Sequence, residues 1–184
     1  MDTKRVPEIV IIATLLAVLG GSALAAQDRY SVRIPDGLSF SEFKGYETWQ
    51  TVASSVTKTS VKSILANPVM MKAYREGIPR NGKPFPEGSK IVKIEWLKKV
   101  NTLSPYVVEV PDSLRTVNFI EKDSKRFPET HGWAYGSFSY DAASDTFQPS
   151  ALPSPLSSTG HACGFACHTI VKSNDYIFTD YPKR

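Results

Sequence analysis

The sequence predicts an α+β domain, an antiparallel sheet of about five strands with a few short helices. Three observations predict it. Residues 89–99 alternate, with Lys90, Val92, Ile94 and Trp96 on one face and Ile91, Lys93, Glu95 and Leu97 on the other, the period of a β-strand. Further strand-like runs at 57–66, 106–110, 114–121 and 133–140 are bounded by turn-forming residues such as Asn67-Pro68, Pro111-Asp112 and Pro128. The helix signals between them are few and short.

The chain has 184 residues, enough for one domain with a substantial core. Its 41% hydrophobic and 22% charged residues place it in the ordinary globular class. A net charge of +4 is mild. No Lys/Arg stripe with interleaved aromatics accompanies it, so nucleic acid is not the expected partner.

Residues 1–25 read as a signal peptide. Lys4 and Arg5 give a basic start, residues 9–19 an apolar stretch, and Ala23-Leu24-Ala25 a cleavage site of small residues. The apolar stretch is short for a membrane span. The mature domain is then 26–184, with a periplasmic or secreted location. An oxidising compartment permits disulfides.

Residues 27–43 read as an extended lead-in. Residues 43–52 read as a short helix, with Tyr46, Trp49 and Val52 on its buried side. The 57–66 strand alternates Thr59, Val61, Ser63 and Leu65 against Ser60, Lys62 and Ile64. Asn67-Pro68 then opens a helix, with Asn as cap and Pro in the first turn. It carries Met70, Met71, Ala73 and Tyr74 and stops at Gly77. A Gly/Pro-rich loop fills 77–88, and a polar loop fills 122–132. Residues 141–160 read as a long irregular segment, a length that suits wrapping a cofactor. The aromatic tail at 175–181 is expected to dock on the core.

Near the C-terminus stands His161-Ala162-Cys163-Gly164-Phe165-Ala166-Cys167-His168, which holds both cysteines and two of the three histidines. The signature of covalent haem attachment is C-x-x-C-H; this stretch has one residue more between the cysteines. A helix turns by ~100° per residue, so residues three apart fall ~60° short of alignment and residues four apart ~40° past it. Either spacing puts both sulfurs on one side. A disulfide between Cys163 and Cys167 is an alternative, although a regular helix does not give it good geometry. A zinc or copper site from His161, Cys163, Cys167 and His168 is another, and free buried thiols a third. If haem is held, His168 is its proximal ligand. No Met follows the motif, Met70 and Met71 fit a helix core better, and His131 sits in a polar loop. An open, five-coordinate iron follows, suited to binding or transforming a small molecule.

Several segments carry a resemblance to a known family. Gly45-Tyr46-Glu47-Thr48-Trp49, the Asn67-Pro68 helix start, Gly88-Ser89-Lys90-Ile91-Val92-Lys93, and Lys122-Asp123-Ser124-Lys125-Arg126-Phe127 followed by Gly132-Trp133-Ala134-Tyr135 stand in order before the haem-like motif. Asp175-Tyr176-Ile177-Phe178-Thr179 follows it. The chain resembles the cytochrome P-460 family, related to the beta-sheet cytochromes c-prime. The resemblance implies an exported c-type cytochrome with one covalent haem c and its iron per chain, commonly a homodimer. It implies that Cys163, Cys167 and His168 bind the haem and that Lys93, matching a lysine bonded to the macrocycle, is a binding and catalytic residue. The spacing between Cys163 and Cys167 departs from the family pattern, as does Lys62, which stands where some members carry arginine.

Two activities follow from the resemblance. One is an oxidoreductase that oxidises hydroxylamine and passes electrons to an external acceptor. It needs a proton acceptor, for which Glu109, Glu121, Asp123, Glu129 and His131 are candidates. The other is a protein that binds nitric oxide or carbon monoxide without turnover, in a pocket capped by aromatics such as Phe119, Phe138 or Trp133. A stapled domain without haem is the third possibility.

Overall fold

The computed structural model describes residues 26–35, 37–150 and 160–183, and of residues 160–163 the backbone alone. The expected signal peptide and residues 151–159 of the long C-terminal segment lie outside the described residues. Six antiparallel strands run in sequence order as a meander: β1 (Gln50–Val56), β2 (Ser60–Ala66), β3 (Lys90–Val100), β4 (Glu109–Lys122), β5 (Trp133–Asp141) and β6 (Thr146–Pro149). Two α-helices accompany them, α1 (Pro68–Arg75) and α2 (Gly160–His168). The α+β class and the antiparallel sheet are as expected; among the described residues the strands number six. Among the described residues no helix is long and apolar enough to cross a membrane.

Three segments differ from the sequence reading, each for a physical reason. Residues 43–52 are not a helix. They form the end of a 3-10 turn (Phe40–Phe43), a second 3-10 turn (Tyr46–Thr48) and the start of β1. Gly45 between the turns has φ 85°, where only glycine sits without strain. A 3-10 turn eclipses residues three apart, so the spacing of Tyr46 and Trp49 fits it as well as a helix. The two short strands expected around Pro111 are one strand, β4. Only residues 116–122 of β4 pair with β5. Pro111 pairs with β3 alone, so its missing N–H faces no second neighbour. Finally, β6 occupies part of the segment read as irregular. The turn residues Asp141, Ser144 and Asp145, with Asp145 at φ 52°, return the chain to pair Phe147 with Tyr140.

The Asn67-Pro68 helix start is observed and does more than cap. The Asn67 side chain accepts from Met70 N at 3.1 Å and from Lys90 N at 3.1 Å, and donates to Gly88 O at 2.8 Å. One amide thus ties α1 to the first residue of β3. Gly77, at φ 86°, ends the turn after α1.

The sheet buries both faces. On one, the N-terminal turns lay Phe40 and Phe43 over Val92, Val117, Phe119 and Phe138. On the other, α1, α2 and the tail cover Ile64, Ile91, Trp133 and Tyr135 together with Ile177. The tail docks as expected: Ile177 is buried and Tyr74 donates its hydroxyl to Thr179 O at 2.8 Å.

Candidate functional site

Alternation along four strands builds the floor of a cavity. One row of cross-strand partners runs Ile64, Lys93, Asn118, Ser137. The next runs Ala66, Ile91, Ile120, Tyr135. The facing wall is α2 and the tail, through Gly164, Cys167, His168, Ile177, Phe178 and Thr179. The space between them is about 360 Å³, within the size range of small-molecule and cofactor sites.

His168 ends α2 and is half-buried. Its Nδ1 lies 2.5 Å from the Tyr176 carbonyl oxygen. A carbonyl only accepts, so Nδ1 carries the proton and Nε2 keeps its lone pair. The Tyr135 ring flanks the imidazole with centroids 4.5 Å apart, and Phe178 meets it edge-on at 4.8 Å. Burial lowers the pKa of His168; the bond to Tyr176 opposes this, and the charge of Lys93 lowers it further. The neutral imidazole thereby favoured is the metal-binding form.

Lys93 reaches the same cavity from mid-strand. Burial lowers its pKa first, the nearby Lys62 lowers it further, and Glu95 only partly offsets them. Among the described residues its amine has neither hydrogen-bond nor ion-pair partner. Such an amine is neutral, and so nucleophilic, over a wider pH range than an ordinary lysine.

Gly164 is the residue that lets α2 approach. A Cβ there would overlap Tyr135 Cβ and lie 2.5 Å from its Cγ. Phe165, the next residue, packs with Tyr176 at 5.3 Å between centroids. The middle of the cysteine spacing is therefore what presses the helix onto β5 and the tail. Cys167 carries an exposed free thiol. The side chains of His161 and Cys163 lie outside the described residues. Among the described residues no group of three or more His, Cys, Asp or Glu side chains is placed to hold a metal ion.

The residues present fit a haem that would be held through a thiol and an imidazole nitrogen. The thiol of Cys167 and the imidazole of His168 border one wall, and an unpartnered lysine rises from the floor opposite. The buried Tyr135 hydroxyl has no hydrogen-bond partner among the described residues, a cost that a polar occupant would remove. His168 and Cys167 would hold the group, with Lys93 in reach of the same space.

The structure thus brings together Lys93, Cys167 and His168 from the residues singled out in the sequence. It leaves others apart. None of Glu109, Glu121, Asp123, Glu129 and His131 lines the cavity. Glu121 instead pairs with Lys90 at 3.0 Å, and exposed His131 stacks on Tyr176 at 5.1 Å. Lys62 lies one row away, 4.0 Å from Glu95, and is not a lining residue. Met70 and Met71 are buried in the core beside α1. Phe138 and Trp133 do not cap the cavity; Phe119 borders it, but its ring is stacked on Phe43 at 4.1 Å on the other side of the sheet. The sequence reading missed Tyr135, Gly164, Asn118 and Ser137. Tyr135, Asn118 and Ser137 follow once the strand register is known, since all fall on the Lys93 side. Asn118 donates to Thr116 Oγ1 at 3.0 Å, and Ser137 to Ser150 Oγ at 2.9 Å.

One family sequence model, described as Cytochrome P460, matches residues 43–179 of the chain. No curated protein matches it significantly.

Proposed function

Because the chain belongs to the cytochrome P460 family, whose members bind haem, we propose that it is an exported cytochrome with one covalent haem c that oxidises hydroxylamine. The observation that supports this most is the placement of Lys93 in the cavity bordered by Cys167 and His168. Haem there would supply an iron that holds a small nitrogen compound and carries its electrons to an external acceptor.

The chain's own residues do the rest. Cys163 and Cys167 would anchor the group by adding their thiols across its vinyl groups. His168 offers Nε2, because Nδ1 is engaged by Tyr176. Lys93 would face the bound group from the sheet, within reach of the same space. Tyr135 and Phe178 fix the imidazole plane from two sides. Ile64, Ile91, Ile120 and Ile177 keep most of the lining apolar, which suits an apolar group and small uncharged ligands. Among the polar lining residues, Asn118 and Ser137 stand beside Lys93 in the same row. They are placed to hydrogen-bond a small polar ligand or its water, whereas the carboxylates expected from the sequence lie outside the cavity.

The apolar lining favours a second reading, a protein that binds nitric oxide or carbon monoxide without turnover. Mass spectrometry separates the two. The intact exported chain should carry one haem, and a tryptic haem peptide should contain Lys93 as well as Cys163 and Cys167. Haem with Lys93 in an ordinary peptide, and no hydroxylamine consumption, would leave the gas-binding reading. A bare mature chain less two hydrogens would overturn both.

A further inference from the structure

Asp175 and Tyr176 take successive left-handed backbone conformations, with φ of 48° and 63°. Neither is glycine, so the turn is costly unless its surroundings hold it. The hold comes through Asp175. Its carboxylate accepts from Lys122 Nζ at 3.1 and 3.3 Å and from Phe85 N at 2.8 Å. Lys122 is fixed in turn: it also donates to His131 O at 3.1 Å and lies 4.8 Å over the Trp133 ring. Both side chains are close to fully buried, 8% and 12% exposed. The pair therefore joins β4, the loop before β3 and the tail at one point. The next carbonyl along the chain is that of Tyr176, which receives the His168 Nδ1 proton.

We propose that Asp175, clamped by Lys122, is a positioning residue for His168. The pair holds the Asp175-Tyr176 turn so that the Tyr176 carbonyl meets Nδ1, which sets the imidazole tautomer and directs Nε2 into the cavity. Neither residue lines the cavity, so both act through the turn. A strong acceptor at Nδ1 makes a ligating imidazole a better electron donor. The consequence for iron rests on the haem reading above; the placement of the proton does not.

The test uses Asp175→Asn and Lys122→Met in the full chain, with Phe40→Leu on the opposite side of the sheet as a control for simple destabilisation. In haem-loaded protein both site variants should raise the midpoint potential, because a weaker Nδ1 bond donates less to the oxidised iron. Lys122→Arg, which keeps the charge, should return the potential toward wild type. Phe40→Leu should lower the melting temperature and leave the potential alone. Site variants that lose thermal stability with an unchanged potential overturn the proposal. If intact mass shows no haem, the haem reading fails separately. The same chains are then read by the imidazole nitrogen-15 shifts at pH 8. Wild type should be protonated at Nδ1, and Asp175→Asn should shift population to Nε2. Wild-type His168 protonated at Nε2, or an unchanged tautomer in both variants, overturns it. Should Asp175→Asn fail to fold, Lys122→Met alone carries the comparison.

Discussion

Val92, Val117, Phe119 and Phe138 project to one side of the sheet; their strand neighbours Lys93, Asn118, Ile120 and Ser137 project to the other. The first side is closed by aromatic contacts. Phe40 meets Phe119 edge-on at 4.9 Å, Phe43 stacks on Phe119 at 4.1 Å, and Phe40 contacts Phe138 at 5.1 Å. The second side carries a lysine amine and a tyrosine hydroxyl that have no partner among the described residues, and a cavity. Both sides come from one alternating pattern. The difference teaches where stability and chemistry are divided: the packed side holds the sheet, and the cavity side tolerates groups that a core would reject.

The largest expected effect therefore lies away from the site. Phe40→Ala should cost about 3–5 kcal/mol, the range for deleting a buried aromatic ring, read from urea unfolding. The cavity side should be untouched: under native conditions the haem content and the reactivity of Lys93 should match wild type. A variant that stays folded yet loses haem or changes Lys93 reactivity would break the division between the two sides.

Gly164→Ala should have a smaller cost and act on the cavity side alone. Overpacking typically costs about 1–3 kcal/mol, and here the added Cβ meets the root of the Tyr135 side chain, which cannot swing away. Tyr135→Gly, which removes that Cβ together with the ring, should relieve it. A double-mutant cycle should then give a coupling of about 0.5–3 kcal/mol, as for residues in direct contact. Strict additivity would mean that α2 is not pressed on β5 through this glycine.

This contact also shows what the sequence could and could not convey. The strand period by itself puts Lys93 on the face of Ile91, and the Asn67-Pro68 cap places α1. Both are local signals, carried by residues next to one another. Tyr135 against Gly164, the Tyr176 carbonyl on His168 and the Lys122–Asp175 pair join residues at least eight positions apart, and periodicity carries no record of them. Local signals also misled where two structures satisfy one spacing, as with Tyr46 and Trp49. The proton acceptors sought among carboxylates were misplaced for the same reason. Glu121 faces Lys90 and Arg126, an assignment fixed by register rather than by residue type.

Lys93→Leu should sharpen the comparison in the opposite direction to Phe40→Ala. In haem-free chains it replaces a desolvated amine by an apolar side chain among isoleucines. The expected outcome is a gain of about 0.5–2 kcal/mol, the usual scale for stabilising substitutions. In exported protein the same change should remove the haem peptide that contains residue 93 and abolish hydroxylamine oxidation. A loss of stability on this substitution would mean that the amine has a favourable role in the unloaded fold.

The pH dependence of that gain is the finest discriminator. Lys93 has its pKa lowered from the ordinary 10.5 by burial and by Lys62. Between its folded value and 10.5, the unfolded chain binds more protons at this position than the folded one. Stability must therefore rise with pH across that window, with a slope of at most about 1.4 kcal/mol per unit, and level off above 10.5. Lys93→Leu lacks this contribution. The stability advantage of the variant should accordingly be constant below the folded value of Lys93 and shrink as pH climbs toward 10.5. The pKa of His168 is lowered from 6.5 by burial and in part by Lys93, so the measurements start above that value. Urea unfolding of the two haem-free chains at half-unit steps above pH 7 measures the difference directly. A difference that stays flat to pH 10.5 would place the Lys93 amine in water rather than in the cavity, and the two sides of the sheet would then differ in packing alone.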